Sequence, residues 1–376
     1  LQVRGEAQQH FRGHLLATGG LLVALVPLED HERARRVDAE VPGQSVGALE
    51  TLAQSVSLLL PPGESAAAIV RVGSGAPSYA FAGNLDVGRQ TAFEFASVTK
   101  VMTAALLSTL AAAQAIDLDA AVTQYLGTDG LDDRWSTVTA RHLLTHTAGL
   151  SGFPPNLNPA WIWLTGRAND PFAGYTSPRL AAGIRRSRPD PQNEWDYSNY
   201  GFAVLGYLAE RRTGLGYAQL LEERILAPAG MHDAAVDRWS VLDVAPPLSR
   251  SGRNANAFQF DAMAPAGAVR GTIEDAAAFL SAALGACETD EPLGRALCET
   301  FVPQRGEEEW PYEMGLGWFR SDAGGATVVW HNGGTAGSSS FLGVAEESGD
   351  SLAELSNVAG LRENDGLGLS FLREGE

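Results

Sequence analysis

Residues 97–115 read SVTKVMTAALLSTLAAAQA, and Lys100 within them is the only lysine of the 376-residue chain. The run is apolar on nearly every face, which is the pattern of a helix buried on all sides. Ser97 and Lys100 stand three residues apart, so one helical turn brings both side chains to the same face. Burial disfavours an ammonium ion and drives such a lysine toward the neutral amine. A neutral amine beside a serine hydroxyl is one way to turn that serine into a nucleophile. A serine–lysine pair at this offset is a common coincidence, so its meaning depends on what the rest of the chain supplies.

The chain is longer than a single core usually serves, which predicts two lobes. A composition of 45% hydrophobic and 19% charged residues is that of an ordinary soluble globular protein. The net charge of −18 argues against nucleic acid and against anionic membrane surfaces as partners. Cys287 and Cys298 are too few for a disulfide framework and read as two unpaired thiols; closure of the loop between them is the alternative in an oxidising compartment. Residues 15–28, LLATGGLLVALVPL, are too short and too interrupted by Thr18-Gly19-Gly20 to span a membrane. Arg4 and Arg12 precede them as in a signal peptide, but no small-residue cleavage site follows closely. They are read as an ordered arm, within an extension of residues 1–44 that packs on the body. The cytoplasm is favoured over export.

Outside that arm the elements fall into three groups. A helical period over residues 46–60 precedes two strand-like segments, AAIVRVGS and PSYAFAG, joined by Gly75-Ala76-Pro77 as a hairpin. Thr91 and Glu94 fit a capping box ahead of the 97–113 helix. The middle reads as short helices and loops, with residues 151–190 an irregular Pro- and Gly-rich segment over a cleft. Its aromatics Trp161, Trp163, Phe172 and Tyr175 are read as packing residues rather than as an acyl pocket. Ser198 or Asn199 caps the helix YGFAVLGYLAERR, and Thr272 caps another through residue 286. The last third turns to strands, ATVVW, SSFLGVAEE and SLAELSNV, whose short connections predict an antiparallel meander. An α+β architecture follows: an antiparallel sheet built from both chain ends and flanked by helices, with an all-helical lobe inserted. The sheet lobe takes residues 45–96 and 240–376, the helical lobe 97–239.

Three stations carry chemistry: Ser97 with Lys100; Tyr197-Ser198-Asn199 just before a helix; and His331-Asn332-Gly333-Gly334 where a strand runs into glycines. Acyl transfer needs a nucleophile, a base, a proton donor for the leaving group and amides for the oxyanion. Ser97 supplies the first, and Lys100 and Tyr197 share the next two. Glycines after a strand let backbone N–H groups approach a ligand closely.

At these stations the chain resembles the serine β-lactamases and D,D-peptidases, in particular the branch around class C β-lactamases, over residues 45–376. S-V-T-K, Y-S-N and H-N-G carry the resemblance, the last standing where β-lactamases have K-T-G. HLLTHTAGL (142–150), ERILAPAGM (223–231), APAGAVRGTIEDAAAFL (264–280) and GLGW (315–318) add to it. The resemblance implies that Ser97 is acylated and that Lys100 and Tyr197 handle its proton. It also implies an oxyanion hole made by the N–H groups of Ser97 and Gly334. Asn199 would bind Lys100 and the substrate amide, and His331, Asn332 and Gly333 would line the substrate site. His331 replaces a fixed cation with a residue mostly neutral at pH 7, which weakens the case for carboxylate-bearing β-lactams.

Rival signals are weaker. Gly43-Gln44-Ser45-Val46-Gly47 matches a nucleophile elbow, but the charged ARRVDAEVP before it cannot be the buried strand an elbow requires. Ser45 is read as a helix cap. His142 and His146 are spaced i, i+4, without the glutamate or third ligand of a metal site, and are read as structural. Asp196 is read as a loop hydrogen-bonder. The expectation is a serine acyl-enzyme hydrolase or acyltransferase acting on a small-molecule ester or amide. Water or an amine or alcohol accepts the acyl group, and no cofactor or metal is required. The alternatives are a β-lactamase or D,D-carboxypeptidase, and a catalytically silent binding protein on the same scaffold.

Overall fold

In the computed structural model the described residues are 36–40, 46–157, 170–191, 194–241, 243–304, 313–322, 326–361 and 363–374. Strand β1 (Arg36–Glu40) and helix α1 (Val46–Leu59) lead to the hairpin β2 (Ala66–Val72) and β3 (Ser78–Gly83), then to the short strand β4 (Ala92–Glu94). A 3-10 turn, Ala96–Val98, runs directly into α2 (Thr99–Ala112). The middle of the chain holds α3 (Thr123–Leu126), α4 (Ala140–Leu144), α5 (Ser177–Arg186), α6 (Asn199–Thr213) and α7 (Tyr217–Leu221). After β5 (Ala235–Val236) and β6 (Val269–Thr272) come α8 (Ile273–Leu284) and α9 (Pro292–Phe301). The closing elements are β7 (Glu313–Met314), β8 (Phe319–Asp322), β9 (Thr327–Gly334), β10 (Ser339–Ala345), β11 (Asp350–Ser356) and α10 (Glu363–Glu374).

The main sheet is antiparallel in the order β1-β3-β2-β11-β10-β9-β8-β7, so the early hairpin meets the late meander at the β2–β11 pair. Three short strands, β4-β6-β5, form a second sheet. This is the α+β arrangement expected. One face of the main sheet is covered by α1 and α10, where Leu49, Ala53 and Val56 meet Ile69, Trp330 and Phe341. The other face, with Val70, Val329, Leu342 and Leu355, joins a core that includes α2 and α8. Every residue of α2 from Thr99 to Leu110 is buried, as its apolar circumference requires. Its threonines are satisfied internally, where Thr103 donates to the carbonyl of Pro265 at 2.8 Å and Thr99 accepts from the amide of Val269 at 3.0 Å, whereas the buried hydroxyl of Ser108 has no partner among the described residues.

Of the 1–44 extension, expected to pack on the body, Arg36–Glu40 pairs with β3 and lengthens the sheet; residues 1–35 and 41–45, with the 15–28 arm and Ser45, lie outside the described set. Three expectations are corrected. The 151–190 stretch is not all irregular: α5 starts with Pro178 in its first turn, where the missing N–H costs nothing, and ends on Arg185 and Arg186. Thr91 and Glu94 form no capping box. Thr91 accepts from the amide of Gly88 and donates to Asp243, while Glu94 belongs to β4. Cys287 and Cys298 are bonded to each other rather than free, tying the turn Ala286–Glu288 to α9. Trp161 and Trp163 fall outside the described residues; Phe172 and Tyr175 are buried.

The helix caps follow the sequence more closely. Ser198 caps α6 through the amide of Gly201, and Gly214 ends it at φ +75°. Thr272 and Asp275 form a capping box on α8. Among the described residues no helix is long and apolar enough to cross a membrane.

Closing a loop of this size lowers the entropy of the unfolded chain, so reducing Cys287–Cys298 is expected to cost about 2–3 kcal/mol. Urea unfolding with and without reductant checks this, and an unchanged midpoint would show that the bridge contributes nothing.

Candidate active site

Ser97 is the only residue from Thr91 to Leu110 that is not buried. It sits on the 3-10 turn rather than in α2 itself, and the residue before it, Ala96, has φ +47°. A non-glycine residue in this region is held there by its surroundings, and such positions gather at functional sites. The turn lifts Ser97 out of the core at the point where α2 begins. Lys100, one helical turn on, is wholly enclosed.

The lysine amine lies 3.0 Å from Ser97 Oγ, 2.7 Å from Asn199 Oδ1 and 2.7 Å from the carbonyl oxygen of Ala266. Burial holds its pKa well below the usual lysine range, and no carboxylate pairs with it among the described residues. The partner set matches the neutral form. A neutral amine has two N–H groups and one lone pair, and it faces two carbonyl oxygens that can only accept. The remaining lone pair is directed to the one partner that can donate, the Ser97 hydroxyl. The rings of Tyr197 and Phe202 lie 4.9 and 5.6 Å from the nitrogen, placed to stabilise an ammonium when one forms.

Tyr197 comes from the loop ahead of α6 and places its phenol beside the Ser97 hydroxyl. Burial pushes that phenol well above the usual tyrosine range, so it is a proton donor rather than a phenolate. His146 holds the loop on both sides of Tyr197. Its carbonyl accepts from the amide of Asp196 at 2.9 Å, and its Nδ1 accepts from the amide of Ser198 at 3.1 Å. His146 itself has φ +61°, and its ring lies 4.5 Å from that of Tyr197. Because Nδ1 accepts, the imidazole proton is on Nε2; burial, with Lys100 and His331 nearby, lowers its pKa well below the histidine range. The other histidine of that segment, His142, accepts from the amide of Thr139 through Nδ1 and caps α4. The two histidines are therefore separate structural parts, and they share no ligand position.

The third station splits by strand parity. On β9 the side chains of Val328, Trp330 and Asn332 face α1 and α10, while His331 and Gly333 face α2. Gly333 lies against Ser97: a methyl there would stand 2.6 Å from the Phe95 carbonyl oxygen and 2.9 Å from the Ser97 amide nitrogen. Only glycine permits that approach. Gly334 follows on the exposed rim of the strand. Asn332 is corrected: its side chain donates to Asp365 of α10 at 2.6 Å and takes no part in the site. His331 is corrected in part. It is completely buried, its Nδ1 engages the carbonyl of Asn332, and its ring packs 4.9 Å from Phe319 and 6.2 Å from Tyr197. Burial beside Lys100 pulls its pKa down to about 3, so it is neutral and backs the site without meeting solvent.

Ser97, Lys100, Tyr197, Asn199 and Gly333 are thus brought to one place. Sequence reading missed the carbonyl of Ala266, which no residue type can announce, and the clamp made by His146. The second had a faint signal in the placement of THT just before a glycine.

A family description headed Beta-lactamase matches residues 64–370. Penicillin-binding protein 4 of Amycolatopsis lactamdurans is 26% identical over 314 residues, 77% of this chain and 76% of that protein. Monacolin J acid methylbutanoyltransferase of Aspergillus terreus is 33% identical over 165 residues, 38% of this chain and 37% of that one. Among solved structures, a D-stereospecific amidohydrolase from a Streptomyces species superposes with a TM-score of 0.65 at 26% identity, covering 83% of this chain and 94% of that one. The matched family model spans most of the chain, including all three stations, and the chain belongs to the β-lactamase family.

Proposed function

We propose that the protein is a serine acyl-enzyme hydrolase or acyltransferase acting on an ester or amide of a small molecule. One observation carries this reading: the buried amine of Lys100 has two carbonyl acceptors and the Ser97 hydroxyl as its third partner. In the first half-reaction Ser97 Oγ bonds to the substrate carbonyl carbon while its proton moves to Lys100. The negative charge that develops on the carbonyl oxygen is met by the amides of Ser97 and Gly334. Collapse breaks the bond to the leaving group, which takes a proton from Tyr197, and Lys100 returns one to Tyr197. Water, or an amine or alcohol, then attacks the acyl-enzyme by the reverse sequence.

Two features favour an uncharged substrate. His331 offers no positive charge to a substrate carboxylate, which counts against the β-lactam and peptide C-terminus alternatives. Beside the site, Phe153, Phe172, Phe258 and Phe260 pack with ring centroids 5.5–6.2 Å apart. Gly267 is flanked by Phe260 on one side and by Ala96, the neighbour of Ser97, on the other. These rings favour an apolar acyl group. Similarity to a methylbutanoyltransferase supports acyl transfer as an outcome within the family, and similarity to a D-stereospecific amidohydrolase supports amide substrates. For the compartment, the Cys287–Cys298 bridge favours an oxidising one over the cytoplasm.

A fluorophosphonate or p-nitrophenyl ester is expected to add one adduct mass to the intact protein, and Ser97→Ala to remove it. Absence of any adduct on the wild-type chain would favour the silent binding protein. A panel of p-nitrophenyl esters and amino-acid amides, run with and without added amine, separates hydrolysis from transfer.

The pH dependence has a definite sign. The amine is the reactive form, so kcat/KM is expected to be flat above the depressed Lys100 pKa and to fall tenfold per unit below it. Lys100→Arg keeps a cation that cannot release its proton, and it is expected to lower acylation by at least about a thousandfold across the pH range. An active Lys100→Arg variant would show that the amine is not the base.

A further inference from the structure

Glu94, three residues before the nucleophile, is 2% exposed and makes a two-sided contact that the acylation chemistry does not call for. Its Oε2 accepts from the hydroxyls of Thr335 at 2.7 Å and Ser338 at 3.0 Å. Its Oε1 accepts from the amide of Phe258 at 2.8 Å. Arg270 stands 3.7 Å from Oε1, is shared with Asp237 at 4.0 Å and lies under the ring of Trp239. Enclosing a carboxylate is costly unless every lone pair is used, and here the donors come from two separate segments.

Both segments border the site. Thr335 and Ser338 form the turn between β9 and β10, directly after Gly334. Gly333 and Gly334 have no side chains with which to fix their own position, and Gly334 lies on the exposed rim. A second tie acts on the same hairpin, where Ser340 Oγ donates to the carbonyl of Phe95 at 2.7 Å. The β9–β10 hairpin is thus referenced to residues 94 and 95, the last strand residue and its neighbour before the Ser97 turn. An oxyanion hole needs its two amides held within about half an ångström of the productive geometry, although they come from opposite ends of the chain.

We infer that Glu94 is the positioning residue of the oxyanion hole, holding the Gly334 amide in register with the Ser97 amide through Thr335 and Ser338. The inference rests on the acyl-enzyme reading above. Through Oε1 the same carboxylate fixes the loop bearing Phe258 and Phe260, so the oxyanion hole and the aromatic wall are set by one group.

Thr335→Val is the sharpest test, because it removes one hydroxyl from a half-buried position while keeping shape and β-branching. In burst kinetics with a p-nitrophenyl ester, the acylation rate constant is expected to fall about 10–100-fold. The ester Kd from the same titration and the Tm should stay near wild-type values. Thr335→Ser should recover the rate, and Glu94→Gln should lower it in the same way. The double variant Glu94→Gln/Thr335→Val should add little to either single loss, as expected for two halves of one contact. Wild-type acylation by Thr335→Val, or a loss matched by the change in Kd or Tm, would overturn the positioning role while leaving the hydrolase reading intact. A wild-type protein that is never acylated at Ser97 would overturn both.

Discussion

The enclosure of a single amine is the constraint on which the rest of the structure depends. Lys100 can act as a base only if water and carboxylates are kept away and the acceptors around it suit an uncharged nitrogen. Keeping water away demands that α2 be surrounded, and its neighbours come unusually close. Gly317, at φ +73°, passes so near α2 that a methyl there would lie 3.1 Å from the Lys100 carbonyl oxygen. Gly206 of α6 meets Pro265 with no room for a side chain, and the next residue, Ala266, delivers its carbonyl to the amine. Close packing and base strength are therefore one property of this helix.

Two further devices keep the reactive groups aligned without touching substrate. His146 brackets Tyr197 with a hydrogen bond to the residue on either side, which leaves the phenol little freedom but to face Ser97 and Lys100. Glu94 does the comparable service for the strand that carries Gly334. Both are buried polar groups used to set geometry, and their partners are mostly backbone amides or short hydroxyls.

Much of this was legible in the chain because the decisive signals are local. An all-round apolar helix, a lysine one turn after a serine, a strand ending in glycines and a hydroxyl before a helix each follow from short-range stereochemistry. What stayed hidden depends on long-range pairing. The side chain of Asn332 was expected in the site, yet strand alternation puts it on the α10 face, and parity cannot be read until the register is known. Thr91 and Glu94 satisfy a capping-box spacing, but pairing with β6 draws Glu94 into a strand and gives it donors from across the fold. The segment Arg36–Glu40 alternates polar and apolar residues, but its charge and the proline after it hid a strand that takes the edge position beside β3.

The order of strands in the main sheet has a consequence for how the protein comes into being. Ser97 and Lys100 belong to the first third of the chain and the Gly333–Gly334 strand to the last, and β11 joins the late meander to the early hairpin. The pairing of β11 with β2 is what joins the sheet that carries β9 to the hairpin ahead of Ser97. During synthesis the serine and lysine emerge long before the strand that comes to lie beside them, and contacts so distant in sequence form late in folding. A partly made chain can carry the serine and lysine and still lack the Gly333–Gly334 strand, so on the function proposed above the cell meets a working site only when it meets a finished sheet.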